Sequence, residues 1–305
     1  METNYFPPSV PHPGEILAEK LEEWGMGAKE FAVRTGKPEK TILAVLSGKS
    51  AITPEMAVQF ENVTRIAASF WLNLQRGYDE SMARKKRAAV VRAAEPWAKK
   101  FPVEAMTRKG WIPVGRTWEH RSSHLLAFFG FSQHTVWEAY YTQKQLKVAF
   151  RLSLEPNPES YAVSAWLRQG ELQASELQCR PYSKALLQKS LPDIQALMGK
   201  KFDDPLFLEI QNLALKSGVK VIQTSALPKA PLVGCTRWIN QHPVIQLTNR
   251  FKNPKQFWFT FFHEIGHLVL HGKKDIFLEN LEYTDKDLLK EQEADAFAKR
   301  WVGVE

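Results

Sequence analysis

Two histidines and a glutamate, His263, His267 and Glu264, sit inside an otherwise apolar run, Phe257-Trp258-Phe259-Thr260-Phe261-Phe262-His263-Glu264-Ile265-Gly266-His267-Leu268-Val269-Leu270-His271. The run reads as one buried helix. His263 and His267 then share a face, about 6 Å apart along the axis. Two imidazoles so placed can hold two corners of a tetrahedral Zn²⁺. Glu264 projects beside that pair rather than onto it, where it can take a proton from water activated by the ion. A pair of ordinary core histidines is the competing explanation. It leaves a two-histidine, one-glutamate cluster in a wall of Phe and Leu with no compensating ion.

The spacing is the HExxH arrangement, which chance places in roughly one chain of this length in a hundred. His271 stands a further turn along, about 12 Å of axis from His263. A straight helix cannot bring three consecutive turns to one ion, so His271 reads as a supporting residue, with Gly272 as the helix stop. The third ligand is expected from the stretch Leu288 to Trp301, whose apolar face is Ala294, Phe297, Ala298 and Trp301. On a helical wheel Glu291 and Glu293 flank that face about equally, and periodicity does not choose between them.

HEIGHLVLH followed by EQEADAFA resembles the ImmA/IrrE family of zinc metallopeptidases. The resemblance covers roughly the last third of the chain. It implies that the glutamate just before the alanine, Glu293, completes a gluzincin-like His263/His267/Glu293 site for Zn²⁺, with Glu264 as the catalytic base. It also implies a protein substrate, a repressor or an antitoxin. Three β-rich runs precede the helix: Gly218 to Ile222, Leu232 to Ile239 and Val244 to Leu247. Strands leading into such a helix suit a zincin-like α/β fold, in which an edge strand can pair with an extended peptide.

Much earlier in the chain, residues 14–78 read as five short helices separated by turn signals. They run from Gly14 to Trp24, Lys29 to Arg34, Glu39 to Leu46, Pro54 to Ala68 and Trp71 to Tyr78. Thr53-Pro54 is a cap followed by a first-turn proline. The second and third, joined by Thr35-Gly36-Lys37-Pro38, form a helix-turn-helix pattern. His12 to Leu17 (HPGEIL), Ser47-Gly48-Lys49, Ile52 to Ala57 (ITPEMA) and Phe70 to Gln75 (FWLNLQ) resemble HigA-type antitoxins of the Xre helix-turn-helix class. By that resemblance Glu39, Lys40, Thr41 and Ala44 face bases of double-stranded operator DNA. Lys37, Lys49 and Ser50 lie near phosphates. It further implies a homodimer and a cognate toxin partner, as in a toxin–antitoxin system. Ile42, Val45 and Leu46 are core, and Leu43 is left over.

The 305 residues carry a net charge of +8 that is unevenly spread. Residues 1–80 hold 8 basic against 11 acidic side chains, a net −3, so non-specific phosphate attraction there is weak. Residues 81–110 hold 9 against 2, a net +7. Arg84, Lys85, Lys86, Arg87 and Arg92 make this either a solvated connector or an extra phosphate clamp, ending near Pro96 and Pro102. From there to residue 216 the chain is helix-rich, with Lys147 to Leu154 alternating like a strand. Trp111, Trp118, Trp137 and Trp166 read as packing anchors, and His120/His124 as a metal pair only weakly, for want of an acid. Two isolated cysteines, the absence of a signal-like N-terminus and the lack of any long apolar run point to a reducing cytoplasm and no membrane span.

These readings give an α+β, mostly helical chain: an all-α helix-turn-helix bundle (1–80), a basic helical connector (81–110), a helix-rich middle (111–216) and a zincin-like metallopeptidase core (217–305). The function expected is a DNA-binding regulator with a zinc-dependent endopeptidase. The alternative is a non-enzymatic antitoxin or repressor whose second half is a sensor or toxin-binding scaffold.

Overall fold

The computed structural model of the chain describes residues 10–141, 158–201, 203–251, 253–271, 277–278 and 285–303. The chain divides into two compact units, Met1–Val90 and Val91–Glu305. The expected strand at Lys147 to Leu154 and the stop at Gly272 lie outside the described residues.

Helices α1 (Pro13–Glu23), α2 (Ala28–Thr35), α3 (Glu39–Leu46), α4 (Pro54–Thr64) and the larger part of α5 (Ala68–Ala93) build the first unit. His12 caps α1: its Nδ1 accepts from the Gly14 amide at 2.9 Å, while its own amide donates to Glu15 Oε1 at 3.1 Å. Gly14 has to be glycine, because a β-carbon there would lie 1.8 Å from the Val45 carbonyl oxygen of α3. Gly36 ends α2 in the left-handed conformation, φ 67°, and starts the turn into α3. Leu17, Phe31, Ile42, Val45, Phe60 and Trp71 fill the centre, and burying each aliphatic or Phe side chain contributes about 1.5–3 kcal/mol. Gln75 reaches back from α5, and its Oε1 accepts from the buried Ile52 amide at 2.9 Å. The HPGEIL and FWLNLQ motifs thus include capping and packing devices.

Two helix limits differ from expectation. α4 stops at Thr64, where Arg65 takes φ 59°. α5 does not stop at Tyr78 but continues to Ala93. The stretch Ser81 to Val90 holds no Gly or Pro and is rich in Ala, Arg and Lys, all strong helix formers.

In the second unit α6 (Glu95–Ala98), α7 (Val103–Arg108), α8 (Trp118–Phe129), α9 (Thr135–Tyr140) and α10 (Pro158–Glu176) surround an aromatic core. Trp97, Phe101, Val103 and Met106 are buried in it, so the far part of the basic stretch is core rather than solvated connector. Trp137 and Trp166 are fully buried, with Trp111 and Trp118 packed against the cluster. Trp137 stacks on Tyr161 with centroids 4.5 Å apart.

A four-stranded sheet follows, β1 (Lys220–Thr224), β2 (Gly234–Ile239), β3 (His242–Thr248) and β4 (Phe277–Leu278), in the order β1-β3-β2-β4. β1 runs parallel to β3, and β2 is antiparallel to β3 and to β4. The β2–β3 turn puts Asn240 and Gln241 at φ 47° and 70°, as a two-residue hairpin turn of the primed type requires. The outer edge of β1 is closed by side chains. Gln211 of α12 (Asp204–Leu215) donates to the Val221 carbonyl at 2.8 Å, and Gln173 of α10 to the Gln223 carbonyl at 3.0 Å. Buried Arg237 ties β2 to α10 through Glu171 at 3.0 Å, and Gln246 of β3 donates to the Trp166 carbonyl at 2.7 Å. With α11 (Lys184–Ala196), these elements support α13 (Pro254–Leu270) and α14 (Asp285–Val302), whose inner faces share one apolar core. Among the described residues no helix is long and apolar enough to cross a membrane.

Candidate metal centre

Asn253 and Pro254 start α13: the Asn253 side chain accepts from the Gln256 amide at 2.9 Å, and Pro254 stands in the first turn. The helix is buried nearly all round, including His263, Glu264 and His267. Its closest approach to α14 is made by small residues. A β-carbon on Gly266 would lie 3.2 Å from Ala294 Cα and 3.3 Å from Phe297 Cβ. Ala294 and Ala298 are fully buried on α14, and Glu291 stands three and seven residues before them on that same stripe.

That placement brings Glu291, and not Glu293, beside the two histidines. Glu291 Oε2 lies 3.1 Å from His263 Nε2, and Glu291 Oε1 lies 3.6 Å from His267 Nε2. The two histidine Nε2 atoms are 2.9 Å apart. Ligand-capable atoms of His263, His267 and Glu291 all fall within 4.8 Å of one another, close enough for one ion to reach all three. Glu293, expected at this position, is not brought there. It points along the half-buried Phe297/Trp301 side of α14, its side chain is 63% exposed, and its Oε2 meets His271 Nε2 at 3.0 Å. His271 is the C-cap of α13, with extended backbone at φ −110° and ψ 171°. Its ring turns toward His267, Nδ1 to Nδ1 at 3.0 Å. Asp295, which the sequence reading passed over, sits one turn after Glu291 and lies 2.9 Å from His263 Nδ1. Its i, i+4 spacing from Glu291 was the available signal.

The protonation states suit a cation. Burial pushes the His267 imidazolium down to about 4, outweighing the opposing pull of Glu291. Burial works against ionising Glu291, but the imidazoles of His263 and His267 beside it hold its carboxyl down to about 2. At neutral pH His267 is therefore neutral and Glu291 anionic, as metal ligation demands. Glu291 Oε1 is buried and has no hydrogen-bond partner among the described residues. A buried carboxylate oxygen left this way is costly, and a cation at the centre would satisfy it. The donor set, two imidazoles and a carboxylate, fits zinc. Glu264, on the turn between the two histidines, is 0% exposed. The other histidine pair is unlike this one: His124 Nδ1 lies 3.1 Å from the Pro113 carbonyl oxygen, with no acid between it and His120.

In the first unit α3 exposes Glu39 and Lys40, with Thr41 and Ala44 half-buried beside them, while Ile42 and Val45 are fully buried. Leu43 is 50% exposed on the same helix. Lys49 is exposed and Ser50 half-buried just past its end, their amides bonded to the Ala44 carbonyl at 2.8 and 3.1 Å. Lys37 Nζ lies 2.6 Å from Glu55 Oε1, whose side chain is largely exposed.

Comparison with known proteins addresses both ends of the chain. Residues 215–301 match the model of the IrrE N-terminal-like domain, Peptidase_M78. An uncharacterized HTH-type transcriptional regulator, YddM of Escherichia coli K12, is 37% identical over 75 residues, which are 25% of this chain and 80% of the relative. Virulence-associated protein A of Dichelobacter nodosus is 39% identical over 70 residues, 22% of this chain and 69% of that protein. Among solved structures, an addiction module antidote protein of the HigA family from Coxiella burnetii is 40% identical, with a TM-score of 0.25, over 25% of this chain and 85% of that one.

Proposed function

Since the chain belongs, by its N-terminal region, to the helix-turn-helix transcriptional regulators and carries an IrrE-like Peptidase_M78 domain near its C-terminal end, we propose that it is a DNA-binding regulator with a zinc-dependent endopeptidase activity. The observation that carries this reading is the convergence of His263, His267 and Glu291 within 4.8 Å beside a fully buried Glu264. In it His263, His267 and Glu291 hold Zn²⁺, with Glu291 taking the part first expected of Glu293. When bound, the ion supplies Lewis-acid polarisation of the scissile carbonyl and acidifies water. Glu264 takes the proton of the attacking water and delivers it to the leaving amine nitrogen. Burial of that carboxylate away from bulk solvent keeps its proton for this transfer.

The substrate proposed is a protein, a repressor or an antitoxin, acted on in the cytoplasm. The helix-turn-helix unit binds double-stranded operator DNA as a homodimer, with Glu39, Lys40, Thr41 and Ala44 toward bases and Lys49 and Ser50 toward phosphates. One observation favours a second reading, a regulator or antitoxin with a cognate toxin and no proteolysis. YddM, named a transcriptional regulator, is matched over 80% of its own length by 25% of this chain, so a regulator of that kind needs no second half.

Metal analysis of the purified full chain, followed by N-terminal labelling of a cell lysate treated with zinc-loaded wild type or Glu264→Gln, separates the two. The endopeptidase reading expects about one zinc per chain in both proteins and new protein N-termini only with wild type. Equal sets of N-termini from the two would leave the regulator reading standing.

A further inference from the structure

Glu293 and His271 do not join the metal cluster, yet they lie in line with it. A histidine that offers the Nε2 lone pair to a cation must carry its proton on Nδ1, and that proton needs an acceptor. For His263 the acceptor is immediate, Asp295 Oδ1 at 2.9 Å. For His267 the neighbour of Nδ1 is another ring nitrogen, His271 Nδ1 at 3.0 Å. No cation is to be held between these two, unlike the Nε2 atoms of His263 and His267, so the two ring nitrogens share one hydrogen: one donates and the other accepts. The far side of His271 fixes which. Its Nε2 lies 3.0 Å from Glu293 Oε2, and a carboxylate oxygen there accepts from the ring. His271 therefore carries its proton on Nε2, leaving Nδ1 as the acceptor for His267 Nδ1–H. The lone pair of His267 Nε2 is then left for a cation held between it, His263 Nε2 and Glu291.

We propose that His271 and Glu293 are a positioning pair that holds His267 in its metal-ligating tautomer. Through one added imidazole they do for His267 what Asp295 does directly for His263. Three acids at alternate positions of α14 then have separate tasks. Glu291 is the ligand, Glu293 anchors His271, and Asp295 orients His263. This assignment rests on the metal-site reading above and deepens it. It also accounts for the burial of the His271 side chain, 4% exposed beside a 63% exposed Glu293. A ring that only ended the helix would have no need to face inward.

The test is Co²⁺ binding to the metal-free full chain, read by visible absorption and by competition with a chelator, with thermal melts of each metal-free variant as a control on folding. His271→Phe keeps an aromatic ring but removes the acceptor, and should weaken Co²⁺ binding by about 10- to 100-fold. His271→Asn returns an amide oxygen near the position of Nδ1 and should recover most of that loss. Glu293→Gln still accepts from His271 and should bind within about threefold of wild type, with Glu293→Ala intermediate and Glu291→Ala losing binding. The proposal is overturned if His271→Phe binds as tightly as wild type with the same spectrum. It is equally overturned if His271→Asn fails as badly as His271→Phe, or if Glu293→Ala loses the ion as Glu291→Ala does. Failure of wild type to bind Co²⁺ or Zn²⁺ would instead remove the metal-site reading, and this inference with it.

Discussion

Gly266 of α13 and Ala294 of α14 meet so closely that a single added β-carbon on Gly266 would stand 3.2 Å from Ala294 Cα. This contact sets the separation of the two helices, and with it the reach from Glu291 to His263 and His267. Helix backbones approach this closely only where small residues face each other. Gly266→Val should push α14 outward, cost about 1–3 kcal/mol by overpacking, and weaken zinc binding. Gly266→Ala, with contacts no tighter than 3.2 Å, should be the milder of the two. Chelator competition beside denaturant unfolding checks both effects. Zinc affinity equal to wild type in Gly266→Val would detach the metal centre from the helix crossing.

The first unit has a tighter constraint of the same kind. At Gly14 the obstacle is backbone, the Val45 carbonyl oxygen 1.8 Å from where a β-carbon would go, and backbone cannot rotate away. Gly14→Ala should therefore separate α1 from α3 and lower the melting temperature of this unit by roughly 4–8 °C for each kcal/mol lost. Zinc content should not change, since the proposed ligands all lie in α13 and α14. A melting curve unchanged from wild type would show that α1 can shift at no cost.

How far the sequence carried depended on how local each question was. His263, Glu264 and His267 are fixed by spacing along one helix, and the structure brings the two histidines together. The choice between Glu291 and Glu293 depended on which side of α14 faces α13. Four apolar residues, Ala294, Phe297, Ala298 and Trp301, span too wide an arc to say. The fully buried pair Ala294/Ala298 and the facing Gly266 settle the orientation, and small residues leave little trace in a hydrophobic pattern. His12 and Gln75 were visible only as parts of motifs. Their work, capping α1 and satisfying the Ile52 amide, is a matter of three-dimensional partners. The continuation of α5 through the basic stretch was in principle legible, because nothing between Ser81 and Val90 breaks a helix.

Cys235 gives the second unit a pH-dependent contribution. It is fully buried on β2, and burial pushes its thiol up to about 12 from 9.0, with Arg237 opposing and Glu264 adding. Between those values an unfolded chain has released a proton that the folded chain keeps. The stabilisation is whole below pH 9.0 and is lost as pH rises toward about 12, by about 1.4 kcal/mol per pH unit. Cys235→Ala should flatten this alkaline limb while costing some packing at all pH values. Urea unfolding at a series of alkaline pH values reads the difference, which cancels other titrating groups such as Tyr141. Parallel curves for the two proteins would place the thiol in contact with solvent.

Lys37 and Glu55 make the DNA-binding reading quantitative. Counted by charge, the first 80 residues are a net −3, poor for attracting phosphates. One of the basic side chains expected near the duplex, Lys37, is held 2.6 Å from Glu55, which is largely exposed. Glu55→Gln removes a negative charge and releases Lys37 at once. Its affinity for a random-sequence duplex should rise several-fold, and the slope of log affinity against log salt should steepen by about one. Lys49→Ala should do the reverse, weakening binding evenly across sequences and flattening the slope by about one. Lys40→Ala and Thr41→Val differ in kind. Placed toward base edges, they should leave the random-sequence affinity nearly unchanged, apart from one lost charge at Lys40, and act on selected operator sequences. Fluorescence anisotropy at several salt concentrations measures all four variants. Identical slopes for Glu55→Gln, Lys49→Ala and wild type would mean that this face of the unit does not meet phosphates, and that α3 is not the helix presented to DNA.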